Sequence, residues 1–181
     1  MSPEAPSLPV RRSLSLVVLA LLLAAFAGGL GAQVPLVVHG LGGIAVDIDD
    51  QDAASGAGFS LLTGVGIRLR TLEFGGEFGH QSLGDDRKAK QYGGWLRVFA
   101  PGRGGLRAYL VAGIANYRYS PATGSRSQAM GGSIGPGLLL RLGDPRAALL
   151  LEARFHSGFD RLGVIASQEF LTVSAGLRLG L

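Results

Sequence analysis

The sequence predicts an all-β fold, an eight-stranded antiparallel up-and-down transmembrane β-barrel preceded by a cleavable signal peptide. Three observations carry this expectation. The chain is apolar overall, with a mean hydropathy of +0.32 and only 17% charged residues among 181. Yet after residue 32 no uncharged apolar run approaches the roughly 18 residues of a spanning helix. Apolar and polar residues instead alternate over eight stretches, as they do on a strand whose successive side chains point to opposite faces. The connections between those stretches alternate long and short, the rhythm of barrels with long outer loops and short inner turns.

Residues 1–32 read as the signal peptide and 33–181 as the barrel domain. Arg11 and Arg12 form a positive n-region, Ser13 to Gly29 an uncharged run rich in Leu, Val and Ala, and Gly29, Gly31 and Ala32 small residues for cleavage. Ser13-Leu14-Ser15 after the paired arginines fits Sec export better than the twin-arginine route.

The first stretch runs from Leu36 to Ile48 and ends among Asp47, Asp49, Asp50 and Asp52. The second, Ala57 to Arg68, sets Phe59, Leu61, Val65 and Ile67 opposite Ser60, Gly64, Gly66 and Arg68. A break at Arg70-Thr71 leads to the third, Leu72 to Gln81, with Phe74 and Phe78 opposing Glu73 and Glu77. A charged connection, Leu83 to Lys90, precedes the fourth, Gln91 to Phe99. Pro101 to Gly105 has the composition of a tight turn. The fifth stretch is Arg107 to Tyr119. The sixth, Gly132 to Leu142, follows a polar loop and contains Pro136, where a missing ladder donor predicts a bulge or local irregularity. Gly143 to Arg146 turns the chain into the seventh, Ala148 to Ser157, in which Leu149, Leu151 and Phe155 oppose Glu152, Arg154 and His156. The eighth, Phe170 to Leu181, alternates to the last residue and would close the barrel.

Alternation defines two faces without saying which is inside. The polar face carries both signs and is otherwise rich in Gly and Ser, unlike a solvated outer wall. This predicts a lumen filled by ion pairs and hydrogen bonds, with Glu73, Glu77, Arg97, Arg141, Glu152, Arg154, His156 and Arg178 as members. Eight strands enclose a space just filled by side chains. Glycines on that face make room for large neighbours. Tyr109 near one end of the fifth stretch, with Tyr117 and Tyr119 at the other, have the separation of two aromatic girdles on the lipid-facing surface.

Leu106 to Gly113, Gly131 to Gly137, Leu151 to His156 and the final strand together resemble the small eight-stranded outer-membrane barrels of the OmpX, OmpW and OmpA-barrel type. The resemblance covers about residues 34–181 and brings no catalytic residues with it. Ser174-x-Gly176-x-x-Leu179-x-Leu181 resembles the C-terminal signal that such barrels present to their insertion machinery, with Leu where the family pattern favours aromatic residues. The partners implied are that machinery, outer-membrane lipid and lipopolysaccharide, in the outer membrane of a Gram-negative-type bacterium.

Other chemistry is thinly represented. Cysteine is absent, so thiolate metal sites and cysteine nucleophiles are excluded. Removing Arg11, Arg12 and Glu4 with the signal lowers the formal charge from +4 to +3, and basic residues form no stripe interleaved with aromatics, so nucleic acid is not an expected partner. His156, Ser157 and Glu169 invite comparison with outer-membrane lipid A deacylases, but adjacent strand residues point to opposite faces, which separates base from nucleophile. The aspartates between 47 and 52 lack the spacing of a defined Ca²⁺ loop. The expectation is a non-enzymatic barrel with no catalytic, metal or cofactor residues, a plugged polar lumen, and a structural or surface-interaction role through its outer loops. A narrow conduit for small hydrophobic solutes, suggested by the OmpW resemblance, a lipid-modifying enzyme and a soluble periplasmic ligand carrier are the alternatives.

Overall fold

A computed structural model describes residues 35–48, 56–83, 87–102, 104–120, 127–159 and 169–181. Eight strands follow in chain order: β1 (Leu36–Asp47), β2 (Ala57–Leu69), β3 (Leu72–Ser82), β4 (Lys88–Phe99), β5 (Leu106–Ser120), β6 (Ser127–Leu142), β7 (Asp144–Phe159) and β8 (Glu169–Gly180). Each is antiparallel to the next, and β8 pairs with β1 to close the barrel. Closure runs from Val37 opposite Gly180 to Asp47 opposite Phe170. The backbone N–H of Leu181 donates to the carbonyl of Leu36 at 2.9 Å, extending the seam to the last residue. A closed sheet leaves no edge unpaired, the condition a spanning β-structure must meet in hydrocarbon.

Several strands are longer than their alternation predicted, because polar residues beyond the apolar stretch still pair. β4 begins at Lys88 rather than Gln91, and β6 at Ser127 rather than Gly132. The short connections are tight. Arg70, in the two-residue turn between β2 and β3, has φ of +50°, and Gly143, between β6 and β7, has φ of +85°. Gly143 suits that left-handed position because it has no Cβ to clash. Asp49, Asp50 and Asp52 lie outside the described residues, as does the signal segment.

No register shift occurs at Pro136, so the expected bulge is absent, but the β6–β7 pairing skips Gly135 and Pro136, a local irregularity. Pairing of Pro136 with β5 is continuous, while the β6–β7 ladder passes from Ile134 opposite Phe155 to Gly137 opposite Glu152 in unchanged register. The shift lies instead between Arg141 and Leu142, beside the turn. Pro136 is exposed on the outer face, so only a ladder donor is lost and no ring has to be fitted inside.

Facing is unambiguous. Leu61, Val65, Phe74, Phe78, Leu110, Ile114, Ile134, Leu151 and Leu177 are among the exposed large apolar residues of the outer wall. Arg97, Arg154, Glu73, Glu152 and His156 are buried within. A water-soluble barrel has the opposite arrangement. Among the described residues no helix is long and apolar enough to cross a membrane.

Candidate functional site in the barrel interior

The interior contains a connected set of charges contributed by six strands. Glu152 of β7 is its hub. One carboxylate oxygen accepts from Arg97 Nε at 2.7 Å and from the Tyr109 hydroxyl at 2.9 Å, and the other from Arg154 Nε at 2.7 Å. Arg154 continues to Glu77 of β3 through Nη1 at 2.8 Å and Nη2 at 3.0 Å, a two-pronged pair. Glu77 also accepts from the Gln91 amide at 3.1 Å and lies 3.3 Å from His39 Nε2. Towards the short-turn end, Arg178 Nε donates to Glu73 at 3.0 Å, with Arg68 and Arg97 each 3.8 Å from the same carboxylate. Nearer the long connections, His156 lies 3.1 Å from both the Tyr117 hydroxyl and Thr172 Oγ1.

Charges buried this completely carry a large desolvation penalty unless partners and hydrogen bonds compensate it. Here every carboxylate of the set meets at least one guanidinium. Buried apolar and aromatic side chains of the interior form two clusters. One includes Leu41, Leu62, Phe99, Tyr109 and Leu139, and the other Leu83, Tyr117, Tyr119 and Phe170. Tyr109 and Tyr117 thus belong to the apolar packing while their hydroxyls reach Glu152 and His156.

Of the residues expected in the lumen, Glu73, Glu77, Arg97, Glu152, Arg154, His156 and Arg178 lie there. Arg141 does not. It has the phase of the inner face, but it sits at the end of β6 where the register shifts, and it is exposed. The three tyrosines expected to form girdles are also displaced. Tyr109, Tyr117 and Tyr119 are 3%, 1% and 5% exposed and face inward. They share a face with Arg107 and Val111, whereas Leu106, Leu110 and Ile114 occupy the lipid-facing side of β5.

Glycines explain how such rings fit in a narrow tube. Gly137 is opposite Tyr109 in register, and a Cβ there would lie 2.3 Å from the tyrosine ring. A Cβ on Gly131 would meet the Tyr117 ring at 2.8 Å, one on Gly66 the Trp95 ring at 2.7 Å, and one on Gly64 the His39 ring at 2.5 Å. His39, Tyr109 and Tyr117 thus lie against a glycine of an adjacent strand, while Trp95 of β4 reaches past β3 to a glycine of β2. Alternation alone missed His39, Tyr109 and Thr172 as network members. The available signal was their phase, shared with Leu41, Arg107 and Ser174.

Tyr109→Phe isolates one link of this network. It keeps the ring over Gly137 and removes the donor to Glu152, and a hydrogen bond to a charged group is worth about 1.5–3 kcal/mol. A lower urea midpoint at unchanged slope is expected for the micelle-folded protein, and an unchanged midpoint would show that the bond contributes nothing.

The deacylase constellation does not assemble. His156 is inside, while Ser157 is on the opposite face and pairs at 3.5 Å with Glu169. Asp47, at the end of β1, is buried and bonded to Arg87 at 2.6 Å. Ser174 faces the interior and a Cβ on Gly176 would run into the backbone of Gly40, while Leu179 and Leu181 face outward. Among the described residues no cluster of His, Asp or Glu could hold a metal ion.

This geometry, a closed tube with an apolar coat and an ionic interior, defines the class: an outer-membrane-type β-barrel of eight strands. Comparison with solved structures agrees. Neisserial surface protein A matches with a TM-score of 0.68 and 18% identity over 80% of this chain and 96% of its own. The N-terminal β-barrel domain of Pseudomonas aeruginosa OprF matches with a TM-score of 0.60 and 15% identity over 81% and 97%. At such identities the likeness is one of fold. No protein-family model and no curated protein matches the sequence.

Proposed function

We propose that the chain is a non-enzymatic outer-membrane barrel whose lumen is closed by its own side chains and whose role is structural or surface-interactive through the long connections. The observation that carries this reading is the hydrogen-bonded line from Arg97 through Glu152 and Arg154 to Glu77. It joins β4, β7 and β3 across the tube, with apolar clusters packed in the same interior. Export through Sec after removal of residues 1–32, and delivery to the insertion machinery by Ser174, Gly176, Leu179 and Leu181, complete the proposed route to the membrane. Lipid, including lipopolysaccharide, is the proposed surrounding partner.

Planar-bilayer recording tests the closed lumen. The wild-type protein is expected to give no steady conductance above the bare membrane, and discrete open-channel steps would refute the reading. A narrow conduit for small hydrophobic solutes is the second reading. It is favoured by one observation, an apolar recess of about 820 Å³ along Gly40 and Gly42, walled by Leu61, Val65, Phe78 and Leu177. Outward Cβ atoms at Gly40 and Gly42 would meet nothing within 4 Å. Uptake of a hydrophobic dye into vesicles that depends on the protein, and is lost in Gly42→Leu, would favour the conduit over the closed barrel.

A further inference from the structure

The outer wall is apolar over most of its height, with one concentrated exception. At the end of the barrel bearing the long connections, His80 of β3 is opposite Lys90 of β4, Lys90 is opposite Arg118 of β5, and Arg118 is opposite Gln128 of β6. All four point outward, and Lys88 lies two residues from Lys90 on the same face. Cross-strand neighbours are about 5 Å apart at Cα, and like charges placed directly opposite destabilise a sheet. None of Lys88, Lys90 and Arg118 is in an ion pair among the described residues.

At this end the outward cations among the described residues occupy one sector. At the same end of β1, β2 and β8 the outward positions are Val46, Ile48, Ala57, Phe59 and Glu169, with no cation among the described residues. Beneath the basic row the wall changes in two steps. The Arg118 guanidinium lies 5.4 Å from the ring centre of Tyr92, which is paired with Phe78. One row deeper, Gly76 is opposite Gly94, and a Cβ on either would find its nearest neighbour 3.9 or 3.5 Å away. The wall is therefore shallow below the rings. From the rim towards the middle of the barrel the sector offers cations, then aromatic rings, then a depression lined by backbone.

We infer that this sector of β3 to β6 binds a phosphate-bearing lipid of the outer leaflet, its phosphates at Lys88, Lys90 and Arg118 and an acyl chain over Gly76 and Gly94. The inference rests on the outer-membrane reading and deepens it, by assigning one side of the barrel to one lipid chemistry. Charge complementarity selects the phosphate. The depression directly below selects an amphiphile over a soluble anion.

Native mass spectrometry on the full chain folded in micelles tests the assignment, with bisphosphorylated lipid A, its dephosphorylated form and inorganic pyrophosphate as probes. One basic residue near a charged lipid surface is worth about a factor of five in affinity, so Lys90→Ala with Arg118→Ala should weaken lipid A binding about 25-fold. Arg146→Ala, at an exposed position near the opposite end, should leave it unchanged. The dephosphorylated lipid should bind wild type no better than lipid A binds the double variant, and pyrophosphate should not compete. Equal lipid A affinity in the double variant, equal binding of the dephosphorylated lipid, or competition by pyrophosphate would each overturn the site. A heat-modifiability gel on the same samples separates the two claims. A protein with no mobility shift refutes the barrel in membranes, whereas a shifted protein that fails the lipid tests refutes only this site.

Discussion

Replacing Glu152 with alanine is expected to lower the melting temperature of the detergent-folded barrel by about 10 °C, or to prevent folding altogether. The variant removes the shared acceptor of Arg97, Arg154 and Tyr109. Arg97 would keep its 3.8 Å approach to Glu73, its 3.3 Å contact with His39 Nδ1 and its place over the Trp95 ring, but no close carboxylate, and Arg154 would keep its pair with Glu77. Breaking a buried pair by removing one partner costs about 3–5 kcal/mol, because the other charge stays buried and uncompensated. For a domain of this size each kcal/mol shifts the midpoint by about 2–4 °C. The large effect does not mean that the network stabilises the barrel relative to an apolar interior, which desolvation makes doubtful as a general rule. It measures how badly a lone guanidinium is accommodated. Glu152→Gln, which retains an acceptor oxygen and loses the charge, should fall between wild type and alanine. Circular dichroism melts in one detergent check the series, and an unchanged midpoint in the alanine variant would refute the coupling.

Ile114→Arg should sharply destabilise the vesicle-folded barrel while leaving the interior untouched. Ile114 lies near the middle of β5, is 56% exposed, and is flanked in register by Gly94 and Gly132. An arginine facing lipid at the bilayer midplane costs about 2–4 kcal/mol, against about 0–1 near the interface. Ala57→Arg, on the outer face at the rim of β2 and opposite Val46, is the matched control and should be tolerated. Were the exterior in contact with water, both substitutions would be neutral. Urea titrations of vesicle-folded protein, read by gel mobility, distinguish the cases. Equal midpoints for the two variants would end the membrane assignment.

The strands and their facing were largely legible in the sequence because both are local. In β7, Leu149, Leu151 and Phe155 against Glu152, Arg154 and His156 announce the two faces within ten residues. Arg70-Thr71 and Gly143 mark turns where the backbone must reverse. Tyrosine was misread for a physical reason. It suits a lipid interface and a polar lumen equally, with a ring for one and a hydroxyl for the other. Only its phase with Arg107 on β5 places it inside. Arg141 was misread because phase sets direction but not depth. Whether an inward side chain is enclosed or emerges at the mouth depends on how neighbouring strands are staggered.

The chain on its own therefore determined an all-β barrel, the order of its strands and the sorting of apolar from charged side chains between two surfaces. All of that follows from a two-residue period and from turn-forming residues, which act over a few positions. Tertiary structure decided which charges meet. Arg178 finds Glu73 across 105 positions, and Arg154 finds Glu77 across 77. It also aligned His80, Lys90 and Arg118 into one row on the outer wall. Those juxtapositions come from the joint register of eight strands around a closed circle, a collective quantity that no single strand encodes.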